Sequence, residues 1–319
     1  MTAQLKSGNR VAVIIPCYNE ALVIGEVVDS FQHALPGARI YIFDNNSTDG
    51  TADKARAAGA AVHHVNHRGK GNVVRRMFAD VEADIYVMAD GDHTYDAARS
   101  GEMVDLLLSR GLDMVVGTRV PVGDGAEYRP GHAFGNRLLT GMVRHVFGNG
   151  FTDMLSGYRI MSRRFVKSFP ALSKGFEIET ELTIHALELR APCAEVATDY
   201  RSRVEGSESK LGTVRDGLSI LKSIVRLYVR ERPRQLYLAF SLGAAIAALL
   251  MAAPVFVEYW QTGLVPRLPT AIFAGLTMMA ALVSGAVAVI LDSVVTGRAE
   301  AKRLSYLAIP ISSPELKDK

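Results

Sequence analysis

An α/β fold, in which a parallel sheet is covered on both faces by helices and followed by two membrane-spanning helices, is predicted for this chain of 319 residues by three observations. Short β-branched runs alternate with helix-length segments between residues 11 and 116. A polar or glycine-bearing turn follows each run. Two uncharged stretches near the C-terminus are each long enough, at about 20 residues, to cross a bilayer as a helix.

The runs are Val11 to Ile15, Arg39 to Phe43, Ala61 to Val65, Ile85 to Met88 and Met114 to Val116. Continuous apolar strands separated by helical patterns indicate a parallel sheet buried on both faces. Ligands of such sheets bind at the carboxyl ends of the strands. Those ends carry Pro16-Cys17-Tyr18-Asn19-Glu20, Asp44 to Gly50, Arg68-Gly69-Lys70-Gly71, Asp90-Gly91-Asp92 and Gly117-Thr118-Arg119. The first turn lacks the glycine fingerprint of a dinucleotide site, and no phosphate-binding Gly-x-x-x-x-Gly-Lys-Ser/Thr loop occurs. Hydride transfer and P-loop chemistry are therefore disfavoured.

No charge interrupts Leu236 to Val257 or Leu268 to Leu291. Lys222, Arg226, Arg230, Arg232 and Arg234 precede the first stretch, and Arg298, Lys302 and Arg303 follow the second, whereas the connecting loop has only Arg267. The excess of basic flanks predicts an inner-membrane protein with its catalytic domain and both termini in the cytoplasm. A short external loop falls near Glu258 to Arg267, with Tyr259 and Trp260 at the far interface. Leu218, Leu221, Ile224, Val225 and Tyr228 recur at helical spacing between Lys222, Arg226 and Arg230. They form either a headgroup-level helix or an amphipathic helix packed on the soluble domain. The expected division is a catalytic domain over 1–212, a juxtamembrane helix over 213–234, two spans over 235–292 and a tail over 293–319.

Composition sets further bounds. At 49% hydrophobic and 22% charged residues the chain buries a real core and is not disordered. The formal net charge of +3 says little by itself, and no nucleic-acid partner is expected. Cys17 and Cys193 lie far apart and make neither a disulfide scaffold nor a zinc spacing, which fits a reducing cytoplasm. The polar start, Met1 to Arg10, and the early stop at Pro16 leave no signal-peptide core.

Asp90 and Asp92 repel one another unless something positive lies beside them, and a hard cation such as Mg2+ or Mn2+ takes oxygen ligands together with substrate phosphate. A solvated turn is the alternative, but the convergence of polar groups on one edge favours metal. Ser47, Thr48 and Asp49 are residue types that cap a helix, whereas Asp44 at a strand end suits ribose hydroxyls or a base. The glycines around Lys70 allow close backbone approach, and the lysine suits a nucleotide or phosphate, although a flexible loop has the same composition. His63, His64 and His67 alternate across a strand and are read as surface histidines, and His93 is notable by position only. Glu177 and Glu181 stand one helical turn apart with Glu179 on another face, as on a solvated helix. Arg203 and Lys210 lie on a glycine- and serine-rich stretch suited to gripping and releasing a diphosphate.

In order, Ile14-Ile15-Pro16-x-Tyr18-Asn19-Glu20, Asp44-x-x-Ser47-x-Asp49-Gly50-Thr51, Gly69-Lys70-Gly71, Asp90-x-Asp92, Gly117-Thr118-Arg119 and Ser207-x-Ser209-Lys210 resemble the family-2 glycosyltransferases. The closest resemblance is to the group that includes dolichyl-phosphate mannose synthase and bacterial polyprenyl-phosphate glycosyltransferases. It covers residues 11 to 234, and the two C-terminal spans resemble those of bacterial members. It implies a GT-A (Rossmann-like) nucleotide-diphospho-sugar domain with inverting chemistry. Carried across, it puts Pro16, Tyr18, Glu20 and Asp44 around the nucleoside and Asp90 and Asp92 at the ribose, diphosphate and metal, with Asp92 also counted as catalytic. Arg203 and Lys210, with Lys70, contact the donor diphosphate. Arg119 and Arg137 meet the acceptor phosphate, and Asp153 stands at the reacting centre. Where the family often has a glutamine after the second metal-site acid, this chain has His93-Thr94, so no third protein ligand is assigned.

The function so implied is transfer of a hexose or N-acetylhexosamine from a nucleotide-diphosphate sugar, UDP-linked in preference to GDP-linked, to a polyprenyl phosphate. The alternatives are a glycolipid or polysaccharide synthase with a hydroxyl acceptor, for which Asp153 acts as base, and a catalytically silent membrane scaffold. Whether the chain forms a homo-oligomer is open.

Overall fold

The computed structural model describes residues 9–122, 141, 151–175, 177–204, 229 and 233–310. Strand β1, Val11–Cys17, is buried on both faces except at Pro16. That is the pattern of a central strand between two helical layers. It pairs in parallel with β2 (Arg39–Asp44) and with β4 (Ile85–Met88), and β2 pairs in parallel with β3 (Ala61–His64). Beyond β4 lie β6 (Arg159–Ser162), β5 (Met114–Pro121) and β7 (Cys193–Tyr200), completing a seven-stranded sheet ordered β3-β2-β1-β4-β6-β5-β7. The five expected strands occur where their sequences place them. A purely parallel sheet does not form: β6 runs antiparallel to both β4 and β5. Its four residues carry an arginine, so the strand lacks the apolar run that marked the others.

Helices cover the sheet: α1 (Ile24–Ala34), α2 (Thr51–Ala57), α3 (Lys70–Asp80), α4 (Ser100–Ser109), α5 (Arg163–Ser168) and α6 (Ile178–Leu189). Helix α1 turns Ile24, Val27, Val28 and Phe31 inward, a spacing that keeps all four on one face. Each such side chain contributes about 2 kcal/mol by leaving water. Helix α4 repeats the spacing with Ser100, Met103, Val104 and Leu107.

Two compact units make up the chain, Met1–Leu221 with Lys302–Lys319, and Lys222–Ala301. The second contains most of two long helices, α7 (Pro233–Thr262) and α8 (Leu268–Leu307), each with a mean hydropathy of 2.2 over its most apolar window. Both extend past the predicted spans, because helical hydrogen bonding continues into polar flanks that lipid would not take. Ala274, Ala281 and Ala288 of α8 recur every seven residues and are buried, as are Ala248 and Val255 of α7. Ser241 Oγ donates to the Ala281 carbonyl at 2.7 Å, so small residues set a close helix-to-helix seam. Leu249, Leu250, Phe256, Leu276 and Leu282 face outward and are exposed, a surface that suits lipid and not water. The two helices are long and apolar enough to cross a membrane. Most of the 213–234 segment lies outside the described residues.

The end of α8 belongs to the first unit. Asp113, fully buried, accepts hydrogen bonds from Ser162 Oγ at 2.7 Å, Arg164 Nε at 2.6 Å, Arg164 Nη2 at 2.8 Å and Tyr306 Oη at 2.6 Å. The Arg164 guanidinium also stacks 4.7 Å from the centre of the Tyr306 ring, and Lys302 Nζ meets Glu188 Oε2 at 2.6 Å. A buried carboxylate is tolerated only with such compensation. Asp113→Ala is expected to destabilise the detergent-solubilised protein by about 3 kcal/mol, the scale for breaking one side of a buried pair. A thermal melt indistinguishable from the unaltered chain would contradict this role.

Candidate active site

The strand order reverses beside β1, because β2 lies on one side and β4 on the other. The chain leaving the two strands in opposite directions opens a crevice at their carboxyl ends. Register brings the ends level: Cys17 stands opposite Asp44, and Asp44 opposite His64. Four of the polar clusters read from sequence therefore converge on one edge, those after β1, β2, β3 and β4.

The loops there are bound to one another. Asn19 N donates to Ser47 Oγ at 2.9 Å, Glu20 N to Thr51 Oγ1 at 2.9 Å and Ala21 N to Asp49 Oδ2 at 3.0 Å. Of the three residues read as candidate helix caps, Asp49 accepts from Thr51 N, the first residue of α2, at 3.0 Å, while Gly50 with φ of 85° stands at the cap position itself. Ser47 and Thr48 bind the turn after β1 instead. Asn45 likewise ties the next loop, with Nδ2 donating to Val65 O at 2.9 Å and His67 O at 2.8 Å. Its Oδ1 accepts from Gly69 N at 2.8 Å. Asp44 is buried, accepts weakly from Ser47 N, and has His64 Nδ1 3.1 Å from Oδ2. His64 is thus a partner of the site as well as a surface histidine. Pro16 and Tyr18 are half-buried on the same edge, Glu20 is buried, and the Arg68 guanidinium lies 5.1 Å from the Tyr18 ring centre.

Lys70, at the start of α3, is buried and bridges Asp90, 2.5 Å away, and Glu179. Burial alone would lower its pKa, but the two carboxylates raise it, so it is a permanent cation. A Cβ on Gly69 would lie 2.2 Å from the Lys174 carbonyl, and one on Gly71 2.2 Å from the Ser173 carbonyl. The backbone that these glycines admit is thus the protein's own 173–174 segment. Glu179 is buried, contrary to its reading as one acid of a solvated helix face, and its Oε2 accepts no hydrogen bond from the described residues. Glu181 is used structurally, accepting from Leu172 N and Ser173 N.

Asp92 is buried with both oxygens engaged. Oδ1 accepts from Thr94 Oγ1 at 2.6 Å, and Oδ2 from Arg203 Nη2 at 2.6 Å. Arg203 is brought there because Arg201 N donates to Thr94 O at 2.9 Å and Tyr200 bridges to Tyr95. Among the described residues, no three His, Cys, Asp or Glu side chains converge as a metal cage. Two carboxylates at a strand end nevertheless fit Mg2+ or Mn2+, which are ordinarily held by one or two carboxylates and completed by substrate phosphate and water.

At the end of β5, Arg119 Nε and Nη2 grip Asp153 Oδ2 and Oδ1 at 2.8 and 2.7 Å, and the Arg119 backbone N adds a third bond at 3.2 Å. Burial pushes the Asp153 carboxyl up, but the Arg119 hydrogen bonds and charge outweigh it and hold the group below the usual carboxylate range. Glu195 of β7 accepts from Thr152 N and Asp153 N and so fixes the loop that carries the acid. Arg159 was missed from sequence. Fully buried, it donates to Ser156 O, Met154 O, Glu179 O and Thr183 Oγ1, binding the Asp153 loop to α6. Its signal was a charge inside a short strand. Arg137 and Lys210, the remaining residues expected at the site, lie outside the described residues.

Gly157 abuts this cluster: a Cβ there would stand 2.7 Å from Asp90 Oδ2. Gly157→Ala requires the Asp90 carboxylate to shift from its present position. Glycosyl transfer is expected to fall at least about tenfold, the effect of misplacing a reacting group, while the thermal midpoint drops by only a few degrees. Activity within twofold of normal would show that the position of Asp90 is immaterial.

Comparison with known proteins bears on this geometry. Residues 12–169 match the model of "Glycosyl transferase family 2". The chain is 33% identical to the glycosyltransferase AglJ of Haloferax volcanii, across 78% of this chain and 81% of that protein. It is 28% identical to the dolichyl-phosphate hexose transferase of the same organism, across 70% and 96% respectively. Glucosyl-3-phosphoglycerate synthase from Mycobacterium tuberculosis, crystallised with Mn2+, UDP-glucose and phosphoglyceric acid, superposes with a TM-score of 0.55 at 26% identity. That alignment covers 68% of this chain and 80% of the synthase. The sheet is the GT-A-like mixed sheet, and the chain belongs to glycosyl transferase family 2, as a glycosyltransferase with two candidate membrane spans.

Proposed function

We propose that this protein is a membrane-embedded polyprenyl-phosphate glycosyltransferase, which moves a hexose or N-acetylhexosamine, with inversion, from a UDP-sugar to a polyprenyl phosphate. The observation that carries this reading is the bidentate Arg119–Asp153 pair. A hydroxyl acceptor needs a base to remove its proton. Asp153 is poorly suited to that task, since its carboxyl is held below the usual range by a guanidinium it would have to release. A phosphate acceptor is already ionised and asks only for alignment and charge. Arg119, oriented by Asp153 and stacked 5.6 Å from the Tyr200 ring centre, is placed to supply that charge.

Roles for the other residues follow. Pro16, Tyr18, Glu20 and Asp44 hold the nucleoside in the crevice beside β1. Asp90 and Asp92 hold Mg2+ or Mn2+, which when bound offsets charge on the leaving diphosphate. Arg203, Lys210 and Lys70 add positive charge on the donor side. The UDP preference is supported by the UDP-glucose complex of the mycobacterial synthase, and the lipid acceptor by the name of the dolichyl-phosphate hexose transferase. The excess of Lys and Arg outside the two spans favours a cytoplasmic catalytic domain.

Two variants test the reading. Asp92→Asn should abolish metal-dependent turnover while leaving the melting curve in place, and near-normal turnover would remove the metal from this site. Asp153→Asn should lower kcat/KM at every pH without moving the acid limb of the profile, which then belongs to the acceptor phosphate, with a second pKa of about 6. The sign follows from the lowered Asp153 pKa: the carboxyl is ionised at every pH above that depressed value and is protonated only below it, so it does not titrate in the working range. Loss of that limb in the variant would restore Asp153 as base and a hydroxyl as acceptor.

A further inference from the structure

Asp92 has a cation of its own. Arg203 Nη2 lies 2.6 Å from Oδ2, with the Asp92 side chain 5% exposed and that of Arg203 31% exposed. Asp90 is held in the same way by Lys70. The two compensating cations differ in what surrounds them. Lys70 is enclosed, its side chain 10% exposed, and a second carboxylate, Glu179, holds it from the other side. Arg203 follows β7, just past the point where Arg201 N joins Thr94 O, and its guanidinium is partly in solvent. Of the two, Arg203 is the more readily displaced, because it is more exposed and lacks the enclosure of Lys70 between two carboxylates.

We infer that Arg203 is an exchangeable counterion of Asp92 that makes divalent-metal binding depend on the donor diphosphate. The inference rests on the proposed metal and diphosphate reading of this site. A divalent ion arriving alone must displace the guanidinium from a buried carboxylate, leaving the guanidinium without that partner. When a diphosphate arrives with it, Arg203 moves from one anion to another, and the exchange of partners costs little. Metal and nucleotide therefore bind with positive coupling, and each raises the affinity of the other by the same factor. Arg203 acts here as a positioning residue for Asp92 in the free protein and as a diphosphate ligand in the loaded one.

The test is an equilibrium titration of Mn2+ into the purified full-length protein, with free Mn2+ read by electron paramagnetic resonance, in the absence and presence of UDP. For the unaltered chain, UDP should tighten Mn2+ binding strongly. In Arg203→Gln, Mn2+ alone should bind about tenfold more tightly than to the unaltered chain, one unit of 1.4 kcal/mol in coupling, and the gain from UDP should shrink by at least that factor. Arg203→Lys, which keeps the charge, should retain most of the coupling, and thermal melts establish that both variants are folded. Equal Mn2+ affinity of Arg203→Gln and the unaltered chain without UDP would overturn the inference while leaving the metal site standing. Absence of Mn2+ binding to any of these proteins even with UDP would instead remove the metal reading, and this inference with it.

Discussion

Three carboxylates wholly or partly shielded from water at this edge of the sheet each meet a cation inside the protein, and much of the local architecture follows from those pairs. Asp90 has Lys70, Asp92 has Arg203, and Asp153 has Arg119. Each pair joins segments distant in sequence, so satisfying the charges also closes the fold around the crevice. Lys70 joins α3 to β4 and α6, and Arg119 joins β5 to the loop before β6. Arg159 stands behind them, its guanidinium spending its donors on backbone carbonyls of the Asp153 loop and of α6. A lysine could not do the same, because a point charge lacks the planar fork that reaches several acceptors at once.

That charge balance also relates stability to chemistry. Under the proposed reading a divalent ion and a diphosphate would take the places of cations and anions already paired here, so donor binding would change partners more than net charge. The Arg119–Asp153 pair differs in kind, since it is bidentate, largely buried and reinforced by a backbone hydrogen bond. It fixes the orientation of a guanidinium at the end of β5. A phosphate acceptor carried by a lipid matches both this electrostatic arrangement and the outward-facing apolar surface of α7 and α8.

Much of this was legible in the chain. The strands that carry Val11 to Ile15 and Ile85 to Met88 are apolar on both faces, and the acids after them stand where a sheet of this type binds ligands. Strand β6 was not legible, because Arg159 breaks its apolar run and its antiparallel direction leaves no mark in a run of four residues. Glu179 was misread because periodicity places Glu177, Glu179 and Glu181 on faces without saying which face meets the core. Lys70 gives it an internal partner only once α3 and α6 are side by side. Ser47 and Thr48 carry a strong local preference for capping a helix, yet they bind the turn after β1, an outcome decided by the parallel pairing of β1 with β2. His64 is exposed as expected, and only the level register of β2 and β3 brings its ring nitrogen to Asp44.

The central claim is that the acceptor is a lipid phosphate attacked without a protein base. Its most direct test is to incubate the purified full-length protein with undecaprenyl phosphate, Mg2+ or Mn2+ and a panel of UDP- and GDP-sugars, and to determine the lipid product by mass spectrometry. The account predicts a lipid carrying one sugar through a single phosphate, formed with stoichiometric release of the nucleoside diphosphate. Release of nucleotide only when a hydroxyl acceptor is supplied, with no sugar on the lipid phosphate, would contradict it.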